Sequence, residues 1–206
     1  LATLGLPDLR ALQQNVTMGS AADEQVNRLA HSLQAAADPT RAPQQQAYLK
    51  SPLTHLGVGI PVLRKVLREW VRDQGDLSRT ELWKLVDPLW RSPTYELRSC
   101  AVEALAYRSG LLTVDDLPKL RQLISESFTW ALVDPLSTDV VGTVVAGMDY
   151  PAADAALDPW SVDQSFWVRR ASMLCQLRLL RNSTYDPARF FRYADAMLEE
   201  REFFIR

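Results

Sequence analysis

Aromatic residues recur along this chain at a nearly constant spacing. Four of them, at successive intervals of 35, 37 and 37 residues, are Tyr95, Trp130, Trp167 and Phe204. A period of this length is typical of stacked helix pairs, because one pair is too small to bury its apolar face alone. The spacing therefore predicts an all-α solenoid whose equivalent positions line one concave face. Core packing is the alternative for Tyr95 and Phe204, since aromatics at helical spacing usually lie in a core.

The local patterns are helical as well. Between residues 61 and 74 the apolar side chains fall on one helical face, at Leu63, Val66, Leu67, Trp70 and Val71. Ser78 with Glu81, and Thr113 with Asp116, have the spacing of a capping box at a helix start. Residues 140–145 are rich in valine, but a lone buried strand would leave its backbone groups unpaired, so we predict a helix there. Together with the period, these patterns predict HEAT-like or armadillo-type repeats.

Five Asp-Pro pairs occur in the chain, with the aspartates at positions 38, 87, 134, 158 and 186. Aspartate is a favourable N-cap, and proline is favourable at the first helical position. We therefore expect several of these pairs to mark the starts of helices.

Composition argues against several classes of protein. The chain has two cysteines, two histidines and a formal net charge of −2. These counts argue against a disulfide framework, a four-ligand Cys or Cys-His zinc site and a uniformly basic nucleic-acid binder. We expect neither a metal nor a cofactor. No apolar run approaches the ~18 residues of a membrane span, and residues 1–6 lack the basic start of a signal peptide, which favours a cytoplasmic, nucleoid-associated protein.

Two of the recurring aromatics have a charged neighbour within one helical turn. Asp134 follows Trp130 by four residues, and Arg170 follows Trp167 by three, so each pair lies on one face of a helix. A tryptophan beside a carboxylate on one repeat, facing an arginine on the next, would form a cleft. Arg98 stands at the corresponding position of another repeat.

Four segments, spread over about residues 42–206, also carry a family resemblance. They are residues 48–58, 130–134, 166–177 and 202–206, the second of which reads Trp-x-x-x-Asp. In content, order and spacing they resemble the DNA alkylation repair glycosylases of the AlkD type, which are HEAT-like repeat proteins. The resemblance implies excision of cationic alkylated purines, such as 3-methyladenine and 7-methylguanine, from duplex DNA without flipping the base into a pocket.

Roles for individual residues are implied by the same resemblance. Asp134 matches the catalytic aspartate, and Trp130 matches a tryptophan that packs on the deoxyribose of the damaged nucleotide. Arg170 matches an arginine that contacts phosphate, and Tyr48 matches a tyrosine on the concave face. We further expect DNA contacts from three other side chains, with ordinary surface charge as the alternative for the lysine: Trp167, Arg98 and Lys50.

These residue types suit the implied chemistry. A purine alkylated at N3 or N7 is already a cationic leaving group, so it needs no general acid. A carboxylate such as Asp134 would stabilise the positive charge that builds on the sugar. Because Pro135 follows Asp134, a helix N-cap is the competing interpretation of that aspartate. The alternative function is a non-catalytic HEAT-like repeat scaffold that binds DNA or a protein partner.

The expected organisation is simple. Residues 1–20 would be an N-terminal extension or a first helix, and residues 21–206 would form the repeat domain. The last residues stop within a helical pattern, so we expect a domain truncated at its C-terminus. A capped solenoid is usually monomeric, and its expected partner is duplex DNA that contains alkylated purines.

Overall fold

Helices make up most of the residues described by the computed structural model, which are 21–181 and 186–205. Residues 1–20, expected to be an extension or a first helix, lie outside this part. The α-helices are α1 (Ala21–Ala35), α2 (Ala42–Leu49), α3 (Ile60–Asp73), α4 (Arg79–Arg91), α5 (Tyr95–Tyr107), α6 (Leu117–Ser125), α7 (Trp130–Pro135), α8 (Gly142–Ala146), α9 (Tyr150–Ser161), α10 (Phe166–Leu174), α11 (Leu177–Arg181) and α12 (Pro187–Ala196). A π-helical segment, Leu136–Val141, joins α7 to α8. The predicted all-α class is confirmed.

The helices stack as pairs in two rows. In the first row α3, α5, α7 and α10 pack side by side, and α4 pairs with α5 as α9 pairs with α10. The second row consists of α4, α6, α9 and α12, of which α9 and α12 pack directly on each other. Ion pairs link successive repeats along the second row: Lys119 with Asp87 at 2.6 Å, Arg121 with Asp163 at 2.5 Å and Arg192 with Asp158 at 2.9 Å. The chain is therefore a helical-repeat solenoid, as the aromatic spacing predicts.

Several local predictions are confirmed. The Ser78 hydroxyl accepts a hydrogen bond from the backbone N–H of Glu81, whose carboxylate accepts one from the backbone N–H of Ser78, and this capping box starts α4. Thr113 and Asp116 form the second box, which opens a short 3₁₀ turn before α6. Residues 140–145 are helical, as the end of the π-helical segment and most of α8.

The expectation for the Asp-Pro pairs is correct at residue 186 and wrong at the other four positions, of which residue 38 lies just before the turn that leads into α2. Asp186 caps α12, where its carboxylate accepts from the backbone N–H of Ala188 at 2.9 Å. The pairs at 87, 134 and 158 lie inside helices instead. A proline inside a helix removes one hydrogen bond, but apolar residues on both sides of it are buried, such as Leu85 and Leu89 in α4. Packing therefore outweighs the local signal.

The buried face of helix α12 is not the one that carries Phe191. Phe191 is 60% exposed, whereas Arg189 and Tyr193 are buried. The Arg189 guanidinium is compensated by Asp154 on α9 at 2.5 Å. A buried arginine is tolerated when it is paired in this way.

The segment between α2 and α3 is held by a carboxylate. Glu96, on α5 and fully buried, accepts hydrogen bonds from the backbone N–H groups of Leu56, Gly57 and Val58 at 3.0, 2.9 and 3.2 Å. Gly57 has φ +77°, and a Cβ there would meet the Asp38 carbonyl oxygen at 2.2 Å. Only glycine fits this position.

Asp116 joins the start of α6 to α4. Its buried carboxylate accepts from Trp83 Nε1 at 2.8 Å, Arg79 Nε at 3.0 Å and the backbone N–H of Thr113 at 2.8 Å. Burial raises the pKa of Asp116, but these hydrogen bonds outweigh burial and hold the pKa below its usual value.

We expect Asp116→Asn to lower the free energy of unfolding by about 2 kcal/mol at neutral pH, because charged hydrogen bonds are lost. Since the folded-state pKa is lowered, the advantage of the wild type exists above the unfolded pKa of about 3.9. It disappears as pH falls through the lowered folded value. Urea unfolding at several pH values measures this difference. Asp115→Asn is the matched control, with a side chain 77% exposed and an expected change near zero; a difference between wild type and Asp116→Asn that persists in acid would contradict the assignment.

Candidate functional site

Helix α7 begins at Trp130 because the preceding threonine fixes its start. Thr129 is buried, and its hydroxyl accepts from the backbone N–H of Ala131 and donates to the carbonyl of Leu49 at 3.1 Å. This second bond ties the end of α2 to the start of α7. As a result the rings of Tyr48 and Trp130 meet edge to face, with centroids 6.0 Å apart.

Asp134 lies one turn after Trp130 on the same helix and forms an ion pair with Arg170 of α10. The guanidinium donates from Nε to Oδ1 and from Nη2 to Oδ2, both at 2.8 Å, so the ion pair is bidentate. The third nitrogen, Nη1, donates to the carbonyl of Phe204. Both charged side chains keep some exposure, 31% for Asp134 and 24% for Arg170. Asp134 is not a helix N-cap, because Thr129 occupies that position.

An open cavity of about 700 Å³ lies beside this pair. Its lining residues are Trp130, Arg170, Arg201, Phe203 and Phe204. Indole, guanidinium and phenyl groups thus surround an opening at which the Asp134 carboxylate is fixed by Arg170.

Two further residues predicted from the sequence, Lys50 and Trp167, contact the phenylalanines that line the cavity. The Lys50 ammonium lies 5.3 Å from the ring centre of Phe203 and 5.9 Å from that of Phe204. Trp167 is buried and packs on Phe204 with centroids 5.1 Å apart. The structure therefore brings together six of the seven predicted site residues: Tyr48, Lys50, Trp130, Asp134, Trp167 and Arg170.

Arg98 is placed differently. Its Nε donates to the carbonyl of Ser92 and its Nη1 to the carbonyl of Glu126, both at 2.8 Å. The guanidinium also lies 5.0 Å from the Trp90 ring centre and 5.5 Å from that of Phe128. Burial lowers the pKa of Arg98. These contacts favour a role in holding the 126–129 segment.

The four recurring aromatics do not all lie exposed on one concave face. Tyr95 is 3% exposed and stacks on His55 at 4.6 Å, while Trp167 is 7% exposed. Trp130 remains partly exposed at the cavity. Tyr95 thus follows the core-packing alternative, because its ring is enclosed between α5 and the segment that leads to α3.

A seven-residue pattern around Asp134 is repeated earlier in the chain, and the aromatic spacing does not show this repeat. The pattern Trp-x-Leu-Val-Asp-Pro-Leu occurs at residues 83–89 and again at 130–136. In the first copy Trp83 is buried and bonds to Asp116, and Asp87 pairs with Lys119, which also lies 4.0 Å from the Trp83 ring centre. That copy lies in the second row and serves packing between repeats, whereas the second copy borders the cavity.

The described residues offer few candidate groups for metal binding or for cysteine chemistry. Among residues 21–181 and 186–205, no three His, Cys, Asp or Glu side chains are grouped to hold a metal ion. Burial raises the pKa of Cys175 to about 12 and also raises that of Cys100, so both remain protonated thiols at neutral pH. Within the same ranges, no helix combines the length and apolar character needed to cross a bilayer.

Comparisons with known proteins agree with this architecture. The family model for "DNA alkylation repair enzyme" matches residues 29–206. A solved structure from Enterococcus faecalis, described as a predicted DNA alkylation repair enzyme, superposes with a TM-score of 0.71 at 15% identity, over 82% of this chain and 78% of that one. No curated protein matches significantly. Because the family model spans most of the chain, the protein belongs to the DNA alkylation repair enzyme family.

Proposed function

We propose that this repair enzyme is a DNA glycosylase that hydrolyses the N-glycosidic bond of cationic alkylated purines in duplex DNA. The observation that carries the proposal is the Asp134 carboxylate, fixed by a bidentate bond to Arg170 beside Trp130 at an open cavity. A preorganised carboxylate of this kind stabilises developing positive charge without having to reorganise during the reaction.

The chemical step requires no acid. A purine alkylated at N3 or N7 carries a positive charge, and the base leaves with the bonding electrons as the C1′–N bond breaks. Positive charge then builds on the deoxyribose, where Asp134 would stabilise it and orient the attacking water. The water oxygen bonds to C1′, and its proton goes to the carboxylate or to solvent.

The neighbouring side chains supply binding. The Trp130 indole would pack on the deoxyribose and attract its developing charge, which is worth roughly 0.5–2 kcal/mol. A guanidinium has five N–H donors, so Arg170 can hold Asp134 and also contact the phosphate of the damaged nucleotide. Lys50 and Tyr48 would contact the DNA backbone at the rim of the cavity.

The shape of the cavity favours recognition of the backbone over base flipping. An enzyme that flips its target needs a snug pocket with hydrogen-bond groups for the base edge. This cavity is open, and its lining consists of Trp, Phe and Arg side chains. These groups suit a sugar, a phosphate and a charged transition state.

Release of free base tests the proposal. Wild-type protein incubated with N-methylated duplex should liberate 3-methyladenine and 7-methylguanine, separated and quantified by chromatography. If a folded protein binds the duplex but releases neither methylated purines nor bulkier N3 or N7 adducts, the glycosylase proposal fails. The non-catalytic scaffold would then be the better account.

A further inference from the structure

Phe128 combines an unusual backbone with an unusual exposure. Its φ is +59°, in the left-handed region, and its ring is 48% exposed. A bulky residue is rare at positive φ, where glycine or asparagine fits at lower cost. Strained positions cluster at functional sites, since natural sequences otherwise lose them.

The flanking residues hold this conformation in place. The Ser127 hydroxyl donates to the Leu123 carbonyl at 2.8 Å, and the Thr129 hydroxyl donates to the Leu49 carbonyl at 3.1 Å. Both flanking residues are buried. Hydrogen bonds from the two flanking residues therefore hold the turn on both sides of Phe128.

Arg98 supports the ring from one side. Its guanidinium lies 5.5 Å from the Phe128 ring centre and is itself anchored by hydrogen bonds to Ser92 and Glu126. Phe128 also precedes Trp130, which lines the cavity, by two residues. An apolar ring is thus fixed by its backbone and by Arg98, is partly open to solvent, and belongs to the residue two positions before Trp130 of the candidate site in the chain.

We infer that Phe128 is a DNA-contacting wedge whose ring packs on deoxyribose and base edges beside the alkylated nucleotide. This inference rests on the proposed function only in taking duplex DNA as the ligand. Apolar side chains on proteins that bind a groove make contacts of this kind, and aromatic contacts to nucleotides are favourable for every base. An uncharged ring releases no counterions, so its contribution does not depend on salt.

The test uses Phe128→Asn, which keeps a residue that tolerates positive φ. With undamaged duplex, the dissociation constant should rise roughly tenfold at each salt concentration from about 50 to 200 mM, with an unchanged salt slope. The thermal midpoint should stay the same or rise, because backbone strain is relieved. Phe128→Tyr, which keeps an aromatic ring, should have the dissociation constant of the wild type. Phe191→Ala is the matched control, an exposed phenylalanine on α12 whose loss should not affect binding.

Two results would overturn the wedge: unchanged affinity in Phe128→Asn, or weaker binding accompanied by a lower thermal midpoint, which would indicate a structural role. Base release from methylated duplex and from duplex with bulkier N3 or N7 adducts, measured in parallel, separates the two proposals. A Phe128 effect on binding without any base release refutes the glycosylase and keeps the wedge. Base release without a Phe128 effect refutes the wedge alone.

Discussion

Asp134→Asn is expected to slow release of alkylated purines by at least about 100-fold, the effect of removing a preorganised electrostatic group. Asparagine has nearly the same shape but no negative charge to oppose the charge on the sugar. Duplex binding should persist or tighten, because the side chain next to Arg170 no longer competes with phosphate. Single-turnover base release and equilibrium binding measure the two effects separately.

The fold should tolerate this change. Asp134 lies within α7, whose N-cap is Thr129, and its side chain is 31% exposed. The amide oxygen of asparagine can still accept one bond from Arg170. A loss of stability below about 2 kcal/mol is therefore expected, as for a partly exposed pair.

Asp87→Asn is the matched control. Asp87 has the same flanking heptapeptide and a comparable ion pair, with Lys119, but lies in the second row away from the cavity. This variant should keep full activity. Equal losses of activity in both variants, or full activity in Asp134→Asn, would remove the carboxylate from the mechanism.

Glu96→Ala is expected to cause the largest loss of stability, about 3 kcal/mol or more. The change leaves the backbone N–H groups of Gly57 and Val58, which are buried, and that of Leu56, which is partly buried, without an acceptor. Each unsatisfied buried group costs about 1–3 kcal/mol. It also leaves a cavity where the side chain was. Denaturant unfolding, with the free energy extrapolated to water, measures the loss.

Glu103→Ala provides the comparison on the same helix. Glu103 is two turns further along α5, with a side chain 31% exposed and paired with the exposed Arg64. Removing such a pair costs less than about 1 kcal/mol. Similar losses in the two variants would mean that the 56–58 segment does not depend on Glu96.

Burial adds a pH dependence to Glu96. Burial raises the pKa of its carboxyl, although hydrogen bonds from the 56–58 segment oppose the rise. A raised folded-state pKa means that the folded protein binds the proton more tightly, so this group favours folding most at low pH. Relative to Glu96→Gln, the wild type should therefore lose stability as pH rises from the unfolded pKa of about 4.3 to the raised folded value.

Short-range patterns account for much of the fold. The spacing of Leu63, Leu67, Trp70 and Val71 predicts α3, and all four are buried. The two capping boxes predict their turns, because a cap acts within four residues and needs no distant partner. The repeat period predicts the stacking, since no single pair of helices can bury its own apolar face.

The contacts of residues whose partners lie far away in the chain could not be predicted from short-range patterns. Arg98 has the sequence context of a DNA contact, yet two backbone carbonyls and two rings surround it. Glu96 has the sequence context of an ordinary helix-surface carboxylate, but the backbone N–H groups that donate to it lie about 40 residues earlier in the chain. Nothing within one helical turn of either residue indicates these contacts.

The duplicated heptapeptide shows where short-range information ends. Residues 83–89 and 130–136 share a pattern that is helical in both places, so the amino-acid sequence alone is enough for the secondary structure. The environments differ because the Trp83 side chain contacts Asp116 and Lys119. The Trp130 ring instead contacts the ring of Tyr48, which lies on α2. Stacking of the repeats therefore decides which tryptophan is buried between helices and which borders the cavity. The deciding neighbours lie between 33 and 82 residues away in the chain.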